Sequence, residues 1–171
     1  YEFNWSCSKR IIRKSVIKMK IYKSIVDERI LHDFSKIQGR SLINHVANSY
    51  DIETAISFAS LFCPEIIEVD DCIFISEFYN GNIMELRKLY KNTKDIEMFV
   101  NSWSLQSLVK ECDVINSSGD YIEEFAKAIQ YFWQLRVNSL FPSRDIIVEI
   151  GEEIMGEEGL TVTLYQKGQP K

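Results

Sequence analysis

The 171-residue sequence predicts an α+β domain in which a largely antiparallel sheet of about four strands, supplied as two hairpins, packs with several helices. Two observations carry the sheet. Residues Glu65–Val69 (EIIEV) and Cys72–Ser76 (CIFIS) are β-branched runs on either side of Asp70-Asp71, a pair with turn chemistry. Ile146–Ile150 (IIVEI) and Leu160–Gln166 (LTVTLYQ) flank the connection Gly151–Gly159, and the second run alternates, with Leu160, Val162 and Leu164 on one face and Thr161, Thr163 and Tyr165 on the other. A third observation supplies the main helix: Ile122, Phe125, Ala126, Ile129, Phe132, Trp133, Val137 and Leu140 keep helical spacing up to Pro142.

The remaining elements follow in chain order. Ile12, Val16, Met19, Tyr22, Val26 and Ile30 predict a helix over 10–31, although Ile17, Met19 and Ile21 also alternate as in a strand. Leu42, Ile43 and Val46 mark a short amphipathic element over 41–49. Asp51 is placed to cap a helix through Ile52, Ile56 and Phe62 that Pro64 stops. Asn82 is the expected cap for Ile83–Tyr90, and Thr93 for a helix through Ile96, Phe99, Val100 and Trp103. Residues 104–119 are polar and end in Asn-Ser-Ser-Gly, a loop signal. Asp120 and Glu123 form a D-x-x-E capping pair for the main helix. SLFCPEIIEV (60–69) and SLFPSRDIIVEI (139–150) both pass from a helix end through Leu-Phe and Pro into a strand, an echo that suggests two helix-hairpin units.

Hydrophobic residues make up 46% and charged residues 26%, with only 7 Gly and 3 Pro, which leaves no material for linkers or low-complexity tracts. Charge is uneven. Residues 1–23 hold seven basic groups and one acid, leaving 13 basic and 24 acidic groups in 24–171, a net of −11. The chain begins at Tyr1 and Met19 is a natural start, so 1–18 is expected to be a basic tail outside the native domain and 19–171 one α+β domain. An acidic body disfavours phosphate backbones, whose binding rests on Lys and Arg, and suits a basic protein partner. Neither a secretory signal nor an apolar run of membrane-spanning length is apparent. With no C-x-x-C among Cys7, Cys63, Cys72 and Cys112, the cysteines read as free thiols in a reducing cytoplasm, and the N-x-S/T sequences at Asn4 and Asn116 as chance.

The chemistry-bearing residues are few. His32 and His45 are the only histidines, and neither stands at metal-ligand spacing from a cysteine or acid, so no metal, cofactor or catalytic residue is expected. Gly39, Gly81 and Gly119 stand alone, while Gly151, Gly156 and Gly159 surround acids, so no phosphate-binding loop is formed. Carboxylates cluster at Glu65, Glu68, Asp70, Asp71 and Glu77, and again at Glu149, Glu152, Glu153, Glu157 and Glu158. The second cluster lies on a hairpin connection, where charges keep a turn solvated or meet a partner. Trp103, set among Asn101, Ser102 and Ser104 near a helix end, is a candidate anchor, because Trp is enriched at binding hot spots. The expected partner surface is therefore Glu149, Glu152, Glu153, Glu157, Glu158 and Trp103.

The string SLFCPEIIEVDDCIFIS, followed by the aromatic helix ending SLFPSRDIIVEI and then LTVTLYQ, resembles a group of small uncharacterised bacterial proteins over roughly residues 41–166. That resemblance implies a bacterial, cytoplasmic, single-domain protein and no functional residue. In type rather than motif, small acidic α+β proteins also resemble immunity proteins of bacterial toxin systems. The function expected is a non-enzymatic protein-binding module, immunity-like toward a basic toxin. The alternatives are a small hydrolase or transferase using a carboxylate or Cys with one His, and a nucleic-acid-associated protein using the basic N-terminal segment.

Overall fold

A computed structural model describes residues 24–26, 28–34, 36–108 and 120–168. Most of the helix expected over 10–31, the boundary at residue 18, Cys7 and Cys112 lie outside those residues. Among the described residues of 24–40 the helical element is a 3-10 turn, Glu28–Asp33.

Asp51 caps α2 (Ile52–Phe62) as expected, its Oδ1 accepting from the Thr54 amide at 2.8 Å. The backbone and hydroxyl of Thr54 hold its carboxyl below the ordinary value. Ser41 does the same for α1 (Leu42–Ser49), accepting from the Asn44 amide. Helix α3 (Ile83–Leu89) receives no side-chain cap bond from Asn82. Helix α4 (Thr93–Asn101) is capped by Asn92 instead of Thr93, because the Asn92 Oδ1 meets the Asp95 amide at 2.8 Å and its Nδ2 meets the Asp95 carboxylate. Helix α5 runs Asp120–Leu140.

Strands β1 (Ile66–Val69) and β2 (Cys72–Ile75) form the first hairpin in the register Val69↔Cys72, and β4 (Ile146–Glu152) and β5 (Leu160–Gln166) form the second with Ile150↔Val162. Both turn residues of the first hairpin have positive φ (Asp70 49°, Asp71 69°), matching a type I′ turn despite the absence of glycine. Arg87 Nε holds Asp70 Oδ2 at 2.5 Å beside that turn. A fifth strand, β3 (Trp103–Ser104), pairs antiparallel with Val162 and Thr161 of β5. Two antiparallel sheets result, ordered β1-β2 and β3-β5-β4, in an α+β fold.

The sheets meet edge to edge. Ile73 and Ile75 turn one side of β2 toward α5, where they join Ala126, Ile129, Trp133, Val137, Val148, Val162 and Leu164 in the larger core. Cys72 and Phe74 face the other way and join Leu86 of α3 and Ile96 of α4. Strand β5 is covered on both faces, so Thr161, Thr163 and Tyr165 are as buried as Val162 and Leu164. Its alternation is present, and α4 covers the face of Thr161, Thr163 and Tyr165: Thr163 Oγ1 reaches the Met98 carbonyl and Lys94 lies 4.4 Å from the centre of the Tyr165 ring.

Between β2 and β5 the backbone ladder is replaced by two side chains of α4, both fully buried. Glu97 Oε1 accepts from the Ile73 amide (2.7 Å) and from Gln166 Nε2 (2.6 Å), while its Oε2 accepts from the Gln166 amide (2.6 Å). One turn later, Asn101 Oδ1 accepts from the Ile75 amide (2.9 Å), and its Nδ2 donates to the carbonyls of Ile73 and Leu164. Successive positions on α4 thus meet β2 in rising and β5 in falling residue number, so the two strands run antiparallel across the seam. The order β1-β2-β5-β4 puts the second strand of each hairpin inside, as a two-fold axis normal to the layer would. Arg144 and Glu68 pair between the two helix-to-strand junctions that echo each other in sequence.

The outer edge of β4 is closed in the same way by α5. Gln134 accepts from the Val148 amide and donates to the Ile146 carbonyl, and Gln130 donates to the Val148 carbonyl, all within 2.8–2.9 Å. Edge groups that would otherwise recruit another strand are occupied by helix-borne amides.

Candidate functional site

The β4–β5 connection displays most of the acidic group singled out above. Glu152 ends β4, and the chain then turns through four left-handed residues, Glu153 (φ 54°), Met155 (56°), Gly156 (84°) and Gly159 (71°). Gly159 is fixed by two requirements at once: its positive φ, and Gln106, whose Cγ would lie 2.9 Å from any Cβ there. Internal bonds from the amides of Glu153, Gly156 and Glu157 to the carbonyls of Gly159, Glu153 and Ile154 hold the connection in shape. Ser104 Oγ of β3 donates to the Glu158 carbonyl from the side. On this frame the carboxylates of Glu152, Glu153, Glu157 and Glu158 are exposed, and no described cation pairs with any of them.

Glu149 does not belong with those four. Its Oε2 accepts from the Tyr165 hydroxyl at 2.6 Å on the α4 side of the sheet, and this bond, with burial, pushes the phenol up to about 12. Its carboxylate is a packing partner, half buried, and only the four residues on the connection are presented together.

Trp103 lies in β3, two residues past the end of α4, not on a helix end. The helix ends at Asn101, and Ser102 takes an extended conformation that leads into the strand. The half-buried indole is tilted against Phe78, ring centres 6.0 Å apart, and opens on a cleft of about 940 Å³. Phe58, Cys63 and Phe78 line this cleft with Trp103, and Trp133 and Arg136 of α5 lie at its side. Trp133 Nε1 donates to the Leu61 carbonyl (2.8 Å), which ties α5 to the end of α2. Through Ser104 the Trp103 strand touches the acidic connection, so two features separated by about fifty residues in sequence become neighbours.

His45 Nδ1 accepts from the Gln38 amide, and its ring meets Phe34 edge-on at 4.9 Å. The buried Cys72 thiol is pushed up to about 11 by burial and by Glu97, which makes it a poor nucleophile. Cys63 is exposed in the cleft. Among the described residues no group of three His, Cys, Asp or Glu side chains is arranged to hold a metal ion, and no helix is long and apolar enough to cross a membrane. Glu97, the most deeply buried acid, was not singled out in the sequence, where it is one of several polar residues on a short helix.

No protein-family model, curated protein or solved structure matches the chain.

Proposed function

We propose that this chain is a non-enzymatic protein-binding module that meets a basic partner through the acidic β4–β5 connection, in the manner of an immunity protein facing a basic toxin. One observation carries the reading: four exposed carboxylates, Glu152, Glu153, Glu157 and Glu158, pair with no cation among the described residues and stand on a connection whose backbone is internally hydrogen-bonded. A like-charged cluster held in fixed geometry raises the local potential and steers an oppositely charged partner. Trp103, one strand residue from the Ser104–Glu158 contact, supplies an aromatic anchor at the edge of that surface. The likeness in type to immunity proteins supports the choice of a basic protein as the partner class.

The test begins with a partner recovered from the native host and compares its association with wild type and with the variant carrying Gln at positions 152, 153, 157 and 158. Association should slow and its salt dependence flatten in the variant, because peripheral charges act on encounter. Equal rates and equal salt slopes would reduce the cluster to a solvated turn.

A further inference from the structure

Helix α2 has Glu53, Ser57 and Ser60 on one side and an apolar stripe on another that the other described residues leave exposed. Phe58, Leu61 and Phe62 turn toward the cleft and α5. On the opposite side Ile52, Ala55, Ile56 and Ala59 follow one another at helical spacing and are all exposed, Ile52 to 73% and Ile56 to 61%. Just before them, Ile43, Val46 and Tyr50 are also more than half exposed. From 41 to 64 the chain carries only two charged side chains, Asp51 and Glu53. A helix of this length is marginal in water without an apolar contact.

We propose that this stripe is the contact between two copies of the chain, related by a two-fold axis that crosses α2 between Ala55 and Ile56. The order of side chains selects that occupant. Antiparallel packing about this axis sets Ile52 against Ala59 of the second copy and Ala55 against its Ile56. Each large side chain then meets a small one, and no Ile meets Ile. A surface that complements itself under a two-fold rotation is what an isologous dimer requires, and ridges of isoleucine entering gaps left by alanine allow close helix packing.

Charge favours the same occupant. The chain carries a net charge of −5, so two copies approach most easily where charge is absent. In the antiparallel arrangement the two Asp51 side chains lie about 14 Å apart along the helix axis and the two Glu53 side chains about 8 Å, with Glu53 about 100° round the helix from Ile52 and so off the stripe. At physiological salt the Asp51 separation exceeds the screening length of about 8 Å. A basic partner has nothing to pair with on this neutral stripe, so the proposal does not depend on the acidic connection.

Sedimentation velocity of the full chain across a dilution series, with circular dichroism as the check on folding, tests it. Wild type should sediment as a dimer that dissociates on dilution. Ile56→Glu should weaken self-association by roughly 100-fold or more, since it places a carboxylate in an apolar contact, and Ala55→Glu should do the same should Ile56→Glu fail to fold. Ser57→Glu, on the cleft side, and the four-Gln connection variant should both remain dimeric. A wild type that stays monomeric at its highest soluble concentration overturns the proposal. So does a dimer that survives a folded Ile56→Glu or Ala55→Glu.

Discussion

Glu97 and Asn101, one turn apart on α4, together take the place of a strand between β2 and β5. Removing one of them should cost far more than a polar-to-alanine change on a helix usually does. Glu97→Ala leaves the buried amide of Ile73 and that of Gln166 without acceptors, and roughly 2–4 kcal/mol should be lost in denaturant unfolding. A loss below about 1 kcal/mol would mean that water fills the seam at little cost.

The ionisation of Glu97 gives that seam a pH dependence of defined sign. Burial raises its pKa above 4.5, against the opposing bonds from Gln166 and Ile73 and the positive charge of Arg144. An acid whose folded value lies above its unfolded one binds protons more tightly when folded. Its contribution is therefore complete below 4.5 and is lost as pH rises through the folded value. The unfolding free energy of wild type minus that of Glu97→Gln should decline as pH increases from below 4.5. A difference that grows with pH would place the folded value on the other side.

Two neighbouring aromatics on α5 should behave differently. Trp133 is 1% exposed and bonded to the Leu61 carbonyl, whereas Phe132 is 40% exposed and touches Phe62. Trp133→Ala should destabilise by about 3–5 kcal/mol and Phe132→Ala by about 1 kcal/mol, measured by the same unfolding experiment. Equal losses would shift the buried face of α5 by one residue. Helical spacing alone admitted both side chains to the core, since 100° separates them and the apolar stripe is about that wide.

Gln130 and Gln134 close the free edge of β4, so their joint replacement by Ala should act on two readouts. Stability should fall by roughly 1–3 kcal/mol as the Val148 amide loses its acceptor. Light scattering should rise with protein concentration, because an open seven-residue edge is a template for another strand. Unchanged scattering would show that α5 shields the edge by bulk alone.

These four polar residues also mark where the sequence stopped being informative. Both hairpins, the Asp51 cap and the length of α5 rest on neighbours within a few residues, and local pattern is enough to find them. The seam does not: Glu97 bonds partners 24 and 69 residues away. On α4 the usual rule is even inverted, with Phe99 exposed and Glu97 buried, because the helix lies across a gap between two strand edges that needs hydrogen-bonding groups more than apolar ones. Trp103 stands out in sequence by its polar neighbours, but its two-residue strand is defined by pairing with Val162 and Thr161 nearly sixty residues away. The acidic connection was legible as a group, but Glu149 could not be separated from it without knowing that Tyr165 stands on the same face.

The side-chain seam also decides what slow amide exchange will report in this molecule. In an ordinary sheet the amides of Ile73, Ile75 and Gln166 would be protected by neighbouring strands, and their exchange would follow the opening of the sheet. Here they donate to Glu97 and Asn101, so they become exposed whenever α4 lifts, even while both hairpins stay paired. Their exchange rates should move together with one another and apart from those of the β4–β5 ladder, which gives α4 its own local unfolding unit. The two hairpins then share a core beneath α5 but are joined along the layer through the side chains of a nine-residue helix, and the weakest joint of the layer is this seam, where no strand bonds to strand.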